Sequence, residues 1–233
     1  MNLTKHIPNT LTCLNLISGM AGIYFVLGGN VLYGAYFILI AAFFDFFDGF
    51  AARMLKVSSD IGKELDSLAD LVTFGVLPSF IVFRMMMDID SEGYLPFITF
   101  LIGVLSAVRL AKFNVDTRQS ERFIGLPTPA NALLLSTLPF LALQFEWMAA
   151  LLLNIYFLAG LSVVMSLLLV AELPLIALKF KSFGIKDNLF RYLVLVIAII
   201  SIVWLGLGGI PLVIISYIAL SVAESAVQKN AEP

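Results

Sequence analysis

Long apolar stretches alternate with short polar breaks along this chain, and the spacing of the breaks predicts a bundle of membrane-crossing helices. A helix needs about 20 apolar residues to cross the hydrocarbon core. Windows of that size place eight spans, at 11–28, 31–51, 67–87, 94–113, 129–145, 149–172, 189–207 and 210–224. Gly28-Gly29-Asn30 and the run from Gly206 to Gly209 read as tight turns between neighbours. The fifth span is short, and the last two also read as one broken helix. No second domain, low-complexity linker or internal repeat interrupts the pattern. The expectation is an all-α polytopic bundle, with residues 1–233 as a single domain.

Composition sharpens this reading. Hydrophobic residues make up 61% of the chain and charged residues 13%, and the mean hydropathy is +1.01. A soluble domain carries about 25% charged residues, so the balance excludes one. A single cysteine, Cys13, rules out an intramolecular disulfide, and a single histidine, His6, rules out a histidine-cluster metal site. Any metal has to be held by oxygen. Lys5 alone precedes the first apolar stretch and no small-residue cleavage pattern follows it, so the first helix is expected to be retained.

The net charge of −2 says little, but the placement of charge says more. With eight spans, all of the 14 lysines and arginines except Arg84 fall on one side. The positive-inside rule then puts both termini on the cytoplasmic side.

The stretch DFFDGFAARMLKVSSDIGKELDSLAD, residues 45–70, sits on that same side and carries Asp45, Asp48, Asp66 and Asp70. Charge at the mouth of two apolar helices is expensive unless something pairs with it. On a helix, Asp45, Asp48, Gly49 and Ala52 share an arc of about 100°. Asp66 and Asp70 share a face of the next helix, while Glu64 points away. A short connection can turn the two faces together. Hard divalent cations suit such oxygens, and paired ions bridge carboxylates to phosphates. Gly49 and Ala52 would then let a ligand approach the backbone. Two other readings stay open on these residues. One is an ion network with Arg53 and Lys63, with Gly49 and Ala52 as a helix-packing seam. The other is a divalent-cation transporter, although the remaining spans supply few acids.

The spacing Asp45-x2-Asp48-Gly49-x2-Ala52-Arg53-x8-Gly62-x3-Asp66-x3-Asp70 resembles, without departure, the signature of the CDP-alcohol phosphotransferase family. The resemblance implies transfer of a phosphatidyl-type group from CDP-diacylglycerol to an alcohol, with release of CMP. It implies that Asp45, Asp48 and Asp66 bind metal, expected as two Mg2+ or Mn2+ ions. Asp70 is implied to share in the metal site and to act as general base. It further implies nucleotide contacts from Gly49, Arg53 and Ser59, with the nucleotide lying along Gly49 and Ala52. Asn9 and Thr12 in IPNTLT resemble the family's Asn-x-x-Thr contact, though helix capping near Pro8 explains them equally well. Members are commonly homodimers, so a homodimer is expected in the membrane lipid.

For the acceptor, the informative run is RLAKFNVDTRQSERFIGLPTPAN, residues 109–131. Inner-side arginines such as Arg118 also serve simply to meet lipid head groups. The run is nevertheless similar to the serine branch of the family, which implies L-serine as acceptor and phosphatidylserine as product. A serine carboxylate needs a cation or a helix N-terminus. Arg109, Lys112, Arg122 and Asn131 are the candidates for the acceptor contact. The alternative within the family is a phosphorylated polyol such as glycerol 3-phosphate or inositol phosphate.

Overall fold

The computed structural model describes residues 6–57, 59–116, 123–176, 184 and 188–231. The architecture is a polytopic membrane helix bundle. Helix α1 spans Ile7–Leu27 and α2 spans Val31–Leu55. Pro8 sits in the first turn of α1, where its missing N–H removes no intrahelical bond. The reversal into α2 uses Gly29 at φ 93°, a conformation open to glycine at little cost.

Helix α3 runs Asp60–Ile89, 30 residues without interruption. Ser59 starts it by accepting a hydrogen bond from the Gly62 amide at 3.0 Å. The middle of α3, Leu71–Val76, is a π-helical turn. Helix α4, Leu95–Val115, returns beside it. The Asn114 side-chain amide donates to Ser67 Oγ at 2.9 Å, and further along Ser106 lies against Gly75. These two contacts make α3 and α4 antiparallel neighbours.

The second half holds α5, Thr128–Ala142; α6, Glu146–Leu152; α7, Ile155–Val170; α8, Leu189–Leu205; and α9, Ile210–Ala231. A two-residue strand β1, Phe123–Ile124, pairs antiparallel with β2, Pro174–Leu175.

Among the described residues, five stretches are long and apolar enough to cross a membrane: α1, α2, α3, α4 and Leu189–Val227. The last of these is a hairpin rather than one broken helix. Its turn lies at Gly206, φ 54°, and Arg191 near its start meets Glu224 near its end at 3.6 Å. The expected span 149–172 is not straight, because α6 and α7 meet at 82°. Asn154 causes the restart: its side chain accepts from the amides of Tyr156 and Phe157 at 3.0 and 3.2 Å. Helix α5 has 15 residues, about 22 Å at 1.5 Å per residue, against a core of about 30 Å. Lys5, Arg118, Arg122, Lys179, Lys181 and Lys186, on which part of the expected sidedness rests, lie outside the described residues.

Close helix approach depends on glycine in the first half of the chain. A Cβ at Gly34 would meet Ile81 Cδ1 at 2.6 Å, and one at Gly22 would meet Leu77 Cδ2 at 2.6 Å. Small residues at such seams are how apolar helices associate where hydrophobic burial offers no drive. The seam closes a cluster of Val26, Ile38, Ala41, Phe74, Leu77, Ile81 and Ala132. A second cluster, including Met86, Ile102, Leu135, Leu158 and Met165, holds the other half.

Candidate active site

The C-terminal turns of α2 and the first turns of α3 meet, and α1 backs both. One oxygen from each of Asp45, Asp48 and Asp66 lies within 4.8 Å of the others. Thr12 Oγ1 on α1 donates to Asp48 Oδ2 at 2.6 Å. Asn15 Nδ2, one turn deeper, donates to Asp70 Oδ1 at 3.1 Å. Thr73 Oγ1 in the π-helical turn donates to the Asn15 carbonyl at 3.2 Å. Asp70 therefore sits just before the widened turn, with one oxygen held by an asparagine that is fully buried.

None of the four carboxylates forms an ion pair among the described residues. Arg53 is exposed, and Lys63 Nζ instead donates to the Asn114 carbonyl at 3.1 Å. The network reading with Arg53 and Lys63 thus has no support in the geometry. Nor does Gly49 form a packing seam within the chain: among the described residues, a Cβ there would meet only the Arg53 guanidinium, at 3.6 Å. The actual seam is at Gly22 and Gly34.

Three hard oxygen donors so close together repel one another unless a cation joins them. Asp66 Oδ1 is buried with no hydrogen-bond partner, a costly condition for a carboxylate oxygen. The donor set fits a divalent metal ion.

Beside the cluster opens a cavity of about 420 Å³. Asn9, Thr12, Asp48, Gly49, Ala52, Ser59 and Asp66 line it, so most of the residues expected to meet the nucleotide share one space. Arg53 is not among its lining, although its guanidinium reaches over Gly49. Lys56 and Lys63 do line it, and both suit an anionic ligand. Their signal in the sequence was basic charge inside the connection between the aspartate pairs. Gly62 keeps the wall thin: a Cβ there would lie 3.0 Å from Asn9 Oδ1 and 2.9 Å from Ser59 Oγ.

On the far side of Asp70 the acceptor candidates separate. Arg109 is buried, with its guanidinium 5.8 Å from the Phe113 ring centroid and its Nε without a partner. Lys112 is exposed. Arg122 lies outside the described residues. Asn131 is fully buried, and neither polar atom of its side chain has a partner. Tyr36 on α2 and Phe140 on α5 have ring centroids 5.5 Å apart. Thr128 and Ser106 also carry buried hydroxyls without partners.

Asn15, Thr73, Ser106 and Thr128 escaped the sequence reading. Their only signal is that each is a small polar residue in an apolar helix. For Asn15, spacing adds a little, since it continues the series Asn9, Thr12 at three-residue steps.

Two comparisons bear on this site. The sequence model of the family described as CDP-alcohol phosphatidyltransferase matches residues 5–231. A CDP-diacylglycerol–serine O-phosphatidyltransferase of Bacillus subtilis (strain 168) is 40% identical over 140 residues, 58% of this chain and 76% of that protein. One of the same name from Mycobacterium leprae (strain TN) is 32% identical over 176 residues, 72% of this chain and 57% of that protein. Another, from Methanocaldococcus jannaschii, is 38% identical over 130 residues, 55% of this chain and 58% of that protein. The match thus spans less than two thirds of the last two relatives.

Proposed function

This chain belongs to the CDP-alcohol phosphatidyltransferase family, and we propose that it transfers a phosphatidyl group from CDP-diacylglycerol to the hydroxyl of L-serine. The products are phosphatidylserine and CMP. The observation that carries this reading is the meeting of three carboxylate oxygens at the wall of a cavity lined by Gly49 and Ala52. A cation-permeation site does not call for that cavity, and the family match removes the transporter reading.

In the proposed reaction Asp45, Asp48 and Asp66 hold two divalent ions, Mg2+ or Mn2+, with Asp70 sharing in the site. The bound ions supply neutralising charge at the donor diphosphate. Asn9, Thr12, Gly49, Ala52, Arg53 and Ser59 receive the nucleotide, and the lipid tails stay in the hydrocarbon. Asp70 takes the proton of the serine hydroxyl as its oxygen attacks the lipid-side phosphorus. The bond from that phosphorus to the bridging oxygen breaks, and CMP leaves with the oxygen. Asn15 supports this role by holding Asp70 Oδ1 and leaving the second oxygen for the substrate. Arg109 and Asn131 are the proposed acceptor contacts, with Lys112 and Arg122 completing the basic set.

The active site is proposed to face the cytoplasm, on the side of nearly all the basic residues, in a single domain that works as a homodimer. The names of the relatives support serine as the acceptor.

The test is CMP release by the purified protein with CDP-diacylglycerol and Mg2+ or Mn2+, comparing L-serine, glycerol 3-phosphate, inositol phosphate and no acceptor. Serine-dependent release that disappears in Asp70→Asn is expected. Release only with a phosphorylated polyol would overturn the acceptor, and no release under any condition would overturn the donor.

A further inference from the structure

Helix α9 carries Tyr217, Ser221 and Ser225 at four-residue steps, hence on one face. All three hydroxyls meet the backbone of one short segment. The Tyr217 hydroxyl donates to the Ile176 carbonyl at 2.9 Å, and the Ile176 amide donates to Ser221 Oγ at 3.2 Å. The Ser225 hydroxyl donates to the Pro174 carbonyl at 3.3 Å. Ser221 completes the arrangement by donating to the Tyr217 carbonyl at 2.7 Å.

The segment's other edge holds the residues that lead into α5. Strand β2 pairs with β1, the Gly125 amide donates to the Leu173 carbonyl at 3.0 Å, and the Leu126 amide donates to Leu168 at 2.9 Å. Gly125 adopts φ 78°, and a Cβ there would lie 2.7 Å from the Leu169 carbonyl oxygen. A two-residue ladder has no stability of its own. Leu175 and Ile176 are buried at 2 and 3% exposure, where backbone polar groups without partners are costly. The hydroxyls of α9 supply those partners. Thr128 and Asn131, with their buried, unpartnered polar atoms, follow directly in the first turn of α5.

We infer that α9 is a positioning element for the acceptor side of the site. Tyr217 and Ser221 set the placement of Thr128 and Asn131 through the segment 173–176 and its partner 123–126, without touching either substrate. The inference rests on the reading of Asn131 as an acceptor contact.

The test uses the full chain with CDP-diacylglycerol and Mn2+, comparing wild type with Tyr217→Phe, Ser221→Ala and Ser221→Thr. KM is measured for each substrate, together with the thermal midpoint. Tyr217→Phe and Ser221→Ala should each raise the acceptor KM about fivefold, the size of one lost hydrogen bond. The CDP-diacylglycerol KM should stay within about twofold, below the loss of one such bond, and Ser221→Thr should restore the wild-type value. An unchanged acceptor KM overturns the inference. So does an equal rise in both KM values with a lowered midpoint, which marks general loosening of the fold. If Ser221→Ala fails to fold, Tyr217→Phe, which removes one oxygen, decides alone. Wild type that works with an acceptor other than serine strikes the functional reading, while the KM split measured with that acceptor still decides the positioning role.

Discussion

Thr12 and Asp48 lie 36 positions apart in the chain and share a hydrogen bond of 2.6 Å, which ties α1 to the carboxylate cluster. The same hydroxyl lies 3.1 Å from the Pro8 carbonyl, but the shorter, charge-assisted bond is the stronger one. Thr12→Val should raise the Mn2+ concentration for half-maximal CMP release about tenfold, at the low end for a group that orients a metal ligand. Thr12→Ser should keep the wild-type titration. A Val variant with an unchanged Mn2+ titration would show that the bond does not orient Asp48.

Asp70 is set apart from the other three aspartates by its partner, Asn15. If it is the base, Asp70→Asn should lower turnover by roughly 10²- to 10⁴-fold, the usual range for general-base loss. Binding of CDP-diacylglycerol should survive, because Asp45, Asp48 and Asp66 remain as a set of three. Equilibrium binding of the donor beside single-turnover rates separates these effects. Equal losses in both would make Asp70 chiefly a binding residue.

Metal occupancy should also be visible as stability. Three close carboxylates and an unpartnered Asp66 Oδ1 disfavour the empty site. A ligand present at 100 times its Kd stabilises the folded state by about 2.7 kcal/mol. Chelation should therefore lower the thermal midpoint in detergent, and Asp66→Asn should shrink that difference. A midpoint indifferent to chelator would argue against a resident metal at this cluster.

The aspartate cluster was legible because helical spacing alone puts Asp45 with Asp48 and Asp66 with Asp70, and the cost of charge at an apolar helix end demands a reason. Asn15 and Thr73 were not legible in the same way. A lone polar residue in a membrane helix usually bonds to its own backbone, as Ser18 does with the Leu14 carbonyl. The π-helical turn at Leu71–Val76 has no residue pattern that announces it. The break at Asn154 left a cap signal, but it stood inside an unbroken apolar run that hydropathy reads as one span. Hydropathy likewise could not tell a hairpin from a broken helix at Gly206, since that distinction rests on φ and on Arg191 meeting Glu224.

Gly49 and Gly62 line the same cavity for different reasons, and substitution should separate them. A Cβ at Gly49 points into open space beside Arg53, so Gly49→Leu should raise the CDP-diacylglycerol KM while the thermal midpoint holds. Gly62→Ala instead presses on Asn9 and Ser59, so a single methyl should disturb both the cavity wall and the cap of α3. Loss of that cap is worth about 1 kcal/mol. Donor affinity unchanged in Gly49→Leu would place the nucleotide elsewhere.

The glycines of the helix seam make the opposite prediction, stability without a change in substrate affinity. At Gly34 a Cβ would lie 2.6 Å from Ile81 Cδ1 and 2.8 Å from Val26 Cγ2, both members of the first core cluster. Gly34→Val therefore overpacks a filled space, which costs about 1–3 kcal/mol. Gly160, inside α7, has nothing within 4 Å of an added Cβ. There alanine meets no neighbour and improves helix propensity, a gain of about 0.5–1 kcal/mol. Thermal denaturation in one detergent should rank the proteins Gly160→Ala, wild type, Gly34→Val, from most to least stable. KM for both substrates should be shared by all three, since neither glycine touches the cavity. A Gly34→Val protein as stable as wild type would mean that α2 and α3 do not approach as closely as Gly34 and Ile81 require.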